Sequence, residues 1–280
     1  MARPGERSLT VALREAVRLR DCLALSLVPA VALAAFALPV ARREALAFVY
    51  REPSLLTAYT AHVVHFDAAH LAANLLGYVL VTGFAYVLAG LAGYRRLFWV
   101  TTATYLVAFP PVLSGLNLAV PRDAVGFGLS GLNMAFSGLL ALVLVAYGAR
   151  LDDRIRLRDA PALFFGAIVT ISIVALPSGT ARGVGVASAV LAAVYVVAAR
   201  RSRRGDPPVN LRAGWLDAGV LGAVALLGYQ YVGFSTVTAD GGIVNVYVHL
   251  LGFCLGFIVP YSAIVAGVVD GGADGGFLSD

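Results

Sequence analysis

Three reactive side chains stand in otherwise apolar stretches of this chain: His70, Ser130 and His249. Asn74 follows His70 by four residues, so a helix carries both on one face. Ser130 lies in the run Gly126-Phe127-Gly128-Leu129-Ser130-Gly131. Glycines around one serine leave its hydroxyl unshielded and its backbone N–H groups approachable, which suits a nucleophile beside an oxyanion site. The run departs from the Gly-x-Ser-x-Gly elbow, because Leu132 stands where that pattern has glycine. Gly252 and Gly256 follow His249 at i+3 and i+7, a stripe along which a neighbouring helix can approach closely. A histidine near a serine hydroxyl is the pairing of general base and nucleophile. The plainer readings are a neutral histidine bonded between helices, and serine and glycine as packing residues, as at Ser137-Gly138.

The elements that must hold these residues are membrane spans. Of 280 residues, 60% are hydrophobic and 13% charged, against about 45–50% and about 25% in soluble domains. Mean hydropathy is +0.84. This balance excludes an ordinary soluble enzyme, a disordered chain and a nucleic-acid binder, and points to a polytopic helical membrane protein in the lipid bilayer. A span needs about 20 apolar residues. Eight candidates meet or approach that length: Cys22–Val40, Ala68–Leu91, Leu97–Val120, Ala124–Gly148, Ala160–Leu176, Gly183–Ala199, Leu216–Phe234 and Ile243–Val269. All 21 basic residues are arginine, and the net charge is +5. With eight spans, sixteen arginines fall on the side of the N-terminus and five on the other. The positive-inside bias then puts both termini in the cytoplasm.

On this count the second, fourth and eighth spans run from outside to inside. His70 and Asn74, Ser130, and His249 all fall in the outer halves of those spans. Ser130 is expected about six residues into its span, or about 9 Å deep. Residues 1–21 read as a cytoplasmic amphipathic segment, residues 22–269 as the transmembrane domain, and residues 270–280 as an acidic, glycine-rich cytoplasmic tail. Cys22 and Cys254 lie in apolar runs and imply no disulfide framework. Asp67 and Asp240 read as solvated loop residues.

Taken together, Thr60, the run His65-Phe66-x-x-x-His70-x-x-x-Asn74, the run Gly128-Leu129-Ser130-Gly131, and His249-x-x-Gly252-x-x-x-Gly256 resemble the rhomboid family of intramembrane serine proteases. The resemblance covers about half of the chain. It implies a rhomboid-like core and a Ser–His dyad without an acid, and it calls for no cofactor. Ser130 would be the nucleophile and His249 the general base. His70 and Asn74 would stabilise the oxyanion, with Gly128 and the backbone around Ser130 beside them. Gly131, Gly252, Gly256 and Met134 would pack the helices at the dyad, and His65 would be structural in the preceding loop. The substrates would be transmembrane segments of other proteins, cut near the outer face in a prokaryotic cell membrane. The loop Ser235–Gly242 would serve as a lid.

The chain departs from the family pattern in three ways. Two additional spans lie between Ser130 and His249; an even number keeps their directions. Met134 stands where the family often has an aromatic residue. The Trp-Arg pair of the first loop is missing, and Tyr50-Arg51 lies too early.

Other readings compete. The chain could be a catalytically inactive rhomboid-like factor that binds membrane proteins or serves their quality control. It could be a transporter, although no Asp, Glu or Arg lies deep in a span. His62, His65 and His70 lack the spacing and the partner ligands of a metal site.

Overall fold

The computed structural model describes residues 8–120, 123–175, 179–180, 183–190, 192, 214–235 and 245–268. It is a helical bundle with, among the described residues, six helices long and apolar enough to cross a membrane. These are α2 (Leu19–Phe36), α5 (Ala68–Ala92), α8 (Ser130–Leu151), α9 (Ala160–Ala175, extended by a 3-10 turn from Leu157), α10 (Trp215–Gly233) and α11 (Val246–Val265). This is the build of a multi-pass membrane protein, because a helix satisfies its own backbone polar groups where water is absent.

The third expected span is a pair rather than a rod. Helix α6 (Arg95–Val107) and helix α7 (Phe109–Asn117) meet at a 50° bend. Pro110 and Pro111 follow the break at once and lack the N–H groups that would continue α6 across it. The sixth expected span, Gly183–Ala199, is described only over residues 183–190 and 192, which are helical; the interior of the Ser235–Gly242 loop and the tail lie outside the described residues.

Helix α8 is the centre of the bundle, with 83% of its most apolar window buried. It packs against α5 on one side and α11 on the other, with α9 and α10 alongside. Lipid removes most of the hydrophobic drive between helices, so close backbone approach through small residues has to supply the contact. A Cβ on Gly138 would meet the carbonyl oxygen of Phe253, and a Cβ on Gly256 would meet that of Ala135. Tyr105 donates from its hydroxyl to the Gly256 carbonyl at the same crossing.

Residues 8–21 do more than lie on a membrane surface. Helix α1 (Leu9–Ala16) packs on α5, with Ala16 buried against Gly90. The Tyr86 hydroxyl accepts from Arg18 N at 3.0 Å and lies 3.1 Å from the Ala16 carbonyl and 2.8 Å from the Asp21 carboxylate. Arg95 pairs with Asp21 and donates to the Ala16 carbonyl. The first long helix accordingly starts at Leu19, ahead of the expected Cys22, and ends at Phe36 rather than Val40.

The connection from α2 to α5 is built of short elements. They are α3 (Val40–Leu46), β1 (Phe48–Val49), α4 (Leu55–Thr60) and a 3-10 turn, Ala61–Val63. Strand β1 pairs antiparallel with β2 (Val125–Gly126), Phe48 opposite Gly126 and Val49 opposite Val125. This small ladder ties the connection to the chain that leads into α8.

Candidate functional site

The β1–β2 ladder changes where Ser130 sits. Residues 124–129, expected inside the fourth span, form strand and turn instead, and Ser130 is the first residue of α8. Three contacts with distant residues prevent the helix from starting earlier. Tyr50 N donates to the Ala124 carbonyl at 3.2 Å, Gly128 N donates to the Ala61 carbonyl at 2.9 Å, and Leu129 N points at His65 Nε2 at 3.5 Å. Ser130 therefore stands at a helix N-terminus, where first-turn N–H groups lack intrahelical partners and the helix dipole favours negative charge.

Gly128 has φ of +102°, a left-handed conformation that favours glycine. Its surroundings also exclude a side chain. A Cβ there would lie 3.1 Å from His70 Cε1, 3.3 Å from His70 Nε2 and 3.8 Å from Asn74 Nδ2. The Gly128 N–H is bonded to the Ala61 carbonyl, and the absence of a side chain lets the turn lie against His70 and Asn74.

His70 and Asn74 hold their places from the first turns of α5. Asp67 caps that helix by accepting from His70 N at 2.8 Å. Asp67 is thus a helix cap and not merely a solvated loop residue. Asn74 is buried, and its amide lies 3.2 Å from the His70 carbonyl. Asn133, three residues after Ser130 and not singled out from the sequence, donates to the Asn74 carbonyl at 2.8 Å. It links the serine's helix to the His70–Asn74 helix.

His65 sits between these parts. Its carbonyl accepts from Arg43 Nη1 at 2.8 Å, and its ring packs edge-on to His70 with centroids 5.1 Å apart. Arg43 in turn lies over the Phe36 ring at 4.7 Å. Burial, with a smaller push from His70, lowers the His65 pKa to about 4. The ring is therefore neutral at pH 7, and Nε2 can accept from Leu129. Burial likewise lowers His62 to about 4, and its Nε2 lies 3.0 Å from the Pro110 carbonyl and 3.1 Å from Ser114 Oγ.

His249 enters from the first turns of α11, whose start is capped by Asn245 accepting from Val248 N at 3.2 Å. The imidazole is buried, and its Nδ1 lies 2.5 Å from the Gly233 carbonyl at the end of α10. A carbonyl only accepts, so Nδ1 carries the proton and Nε2 keeps its lone pair. Phe234 meets the same ring edge-on, centroids 6.1 Å apart. Met134 is fully buried, and its methyl reaches the space beside Gly233. Below the imidazole, the glycine stripe meets α8: a Cβ at Gly252 would run into the Gly131 carbonyl.

His70, Asn74, Ser130 and His249 line one cavity of about 270 Å³, together with Tyr229 and Asn245. They sit in the first or second turns of α5, α8 and α11, whose N-terminal ends share one side of the bundle. The cavity thus gathers a serine hydroxyl at a helix N-terminus, an imidazole with a free ring nitrogen, and the side chains of His70 and Asn74. Such a set can activate a hydroxyl and receive developing negative charge. Comparison of the chain with protein-family models, with curated proteins and with solved structures gave no match.

Proposed function

We propose that the chain is a rhomboid-type intramembrane serine endopeptidase that cuts transmembrane segments of other membrane proteins. One observation carries this reading: Ser130, His249, His70 and Asn74 line a single cavity, at the shared end of three membrane-length helices. In this reading Ser130 Oγ attacks the scissile carbonyl while His249 Nε2 takes its proton. The oxyanion forms between the α8 N-terminus and the side chains of His70 and Asn74. His249 then passes the proton to the leaving amine as the C–N bond breaks, which leaves acyl–Ser130, and a water molecule hydrolyses that ester by the reverse sequence.

The arginine asymmetry favours eight spans, cytoplasmic termini and a cavity that opens outward; the membrane in this reading is a prokaryotic cell membrane. The favoured substrates have helix-weakening residues and a small residue at the cut. They must unwind there, because a helical peptide bond is shielded by its own turn.

The test needs no known substrate. The detergent-purified protein is treated with a fluorescent fluorophosphonate beside Ser130→Ala and His249→Ala. Labelling of the wild type alone supports an activated Ser130 that depends on His249. Equal labelling of all three, or none while an active serine hydrolase labels in parallel, overturns the protease reading and favours a rhomboid-like binding factor without catalysis.

A further inference from the structure

We propose that Gly233 is the third member of the site, a positioning residue whose backbone carbonyl does for His249 what a carboxylate does in a Ser–His–Asp triad. The proposal rests on the protease reading for its catalytic meaning and on geometry for its substance. Two helix ends of opposite polarity flank the same cavity. Helix α8 begins at Ser130, and helix α10 ends at Gly233. The last carbonyls of a helix have no partner within it and carry partial negative charge. One of them, Gly233 O, is 2.5 Å from His249 Nδ1.

Two consequences follow from that contact. The ring is held as the Nδ1–H tautomer, so the nitrogen left for Ser130 is Nε2. The negative end of α10 also faces the imidazole as it becomes an imidazolium, while the positive end of α8 faces the oxyanion. Charge separates in the reaction along a direction that the two helices already favour. No carboxylate is required, and burying one in lipid would be far costlier than burying a carbonyl.

The rest of the support comes from the same end of α10. Phe234 stands edge-on to the imidazole, and the Met134 methyl occupies the space in which a side chain at 233 would lie. Helix α10, the seventh expected span, therefore carries the group that orients the base.

The first arm of the test is spectroscopic. Histidine-selective 15N NMR of the full-length protein is recorded in detergent, with His249→Ala used to assign the His249 resonances. The expected result is one protonated nitrogen at Nδ1 and an unprotonated Nε2 at neutral pH. A ring protonated at Nε2, or an even mixture of tautomers, overturns the proposal whether or not the protein is a protease.

The second arm weakens the carbonyl without altering a side chain. Incorporating the α-hydroxy analogue of phenylalanine at position 234 turns the Gly233 carbonyl into an ester, a poorer acceptor. The same exchange at Val232 is the control, since it removes a helix bond of similar kind elsewhere. The expected result is a fluorophosphonate labelling rate about tenfold lower for the 234 ester than for the control, with its pH profile displaced. Equal rates and profiles overturn the proposal. A wild type that never labels overturns the protease reading instead, and the tautomer result then decides the positioning claim by itself.

Discussion

Gly252 and Gly131 meet backbone to backbone: the Gly131 carbonyl fills the space that a Cβ at position 252 would take. The contact joins the residue after the serine to the residue one turn below the imidazole. It thereby fixes the spacing of the two reactive groups through main chain, which has far less freedom than side chains.

Substitution at this crossing should therefore cost both stability and chemistry. Gly252→Val must push α11 away from α8. Its expected effect is a loss of about 1–3 kcal/mol or more, in line with overpacking, together with loss of Ser130 labelling. Thermal unfolding in detergent reads the first effect and fluorophosphonate labelling the second. Gly83→Ala is the control, because nothing lies within 4 Å of a Cβ there.

Removing either reactive group should leave the fold intact. Ser130→Ala and His249→Ala are each expected to lower cleavage of a transmembrane test substrate in liposomes by at least about 10³-fold. Their melting temperatures should stay near the wild-type value. A large fall in melting temperature would mean that the groups are structural.

Asn74→Ala should be milder than either. One oxyanion donor is worth about 10²–10³ in kcat, so a residual, measurable rate is expected, with KM little changed. Asn133→Ala removes the donor to the Asn74 carbonyl and a side-chain bond to Tyr229 while leaving the Asn74 amide in place, and it should fall between Asn74→Ala and wild type. Steady-state kinetics on the same liposome substrate separates these cases.

The two depressed histidines set an acid limit on stability. His62 and His65 have pKa values near 4 in the folded chain, against about 6.5 when exposed. Between about pH 6.5 and pH 4 the unfolded state binds more protons, so stability should fall as pH drops through that window and be flat above it. Melting curves across about pH 4–8 test this, and His62→Gln should flatten the slope. A stability that instead rises on acidification would contradict both assignments.

At the opposite end of the bundle, Arg95 and Asp21 join α6 to the start of α2 beside Tyr86. Arg95→Ala leaves a buried carboxylate with the Tyr86 hydroxyl and only the exposed Arg20 guanidinium, 3.6 Å away, as its cation. The expected loss is about 2 kcal/mol, reduced from that of a fully buried pair because Arg95 keeps some exposure. Asp21→Asn in the same background should restore part of it. Limited proteolysis of the N-terminal segment offers a second readout.

Much of this architecture is legible in the residues themselves. Hydropathy over a window of about 20 residues is a local sum, so the apolar helices can be found without knowing their neighbours. The alternation of span direction then puts His70, Ser130 and His249 on one side, because it depends only on counting. The glycine stripe after His249 is likewise visible, since close approach requires small residues wherever the partner helix lies.

What local sums could not supply was decided by contacts between distant residues. Ser130 starts α8 because Ala61, His65 and the β1 strand hold residues 124–129 out of the helix, and apolar character alone cannot reveal that. The break between α6 and α7 has a proline signal, but its 50° angle is read only from the structure. Asp67 is an ordinary loop aspartate until the start of α5 makes it a cap. Gly233 had no signal at all: its contribution is a main-chain carbonyl, identical in every residue. Only the tertiary structure, by ending α10 against His249, gives that carbonyl a partner.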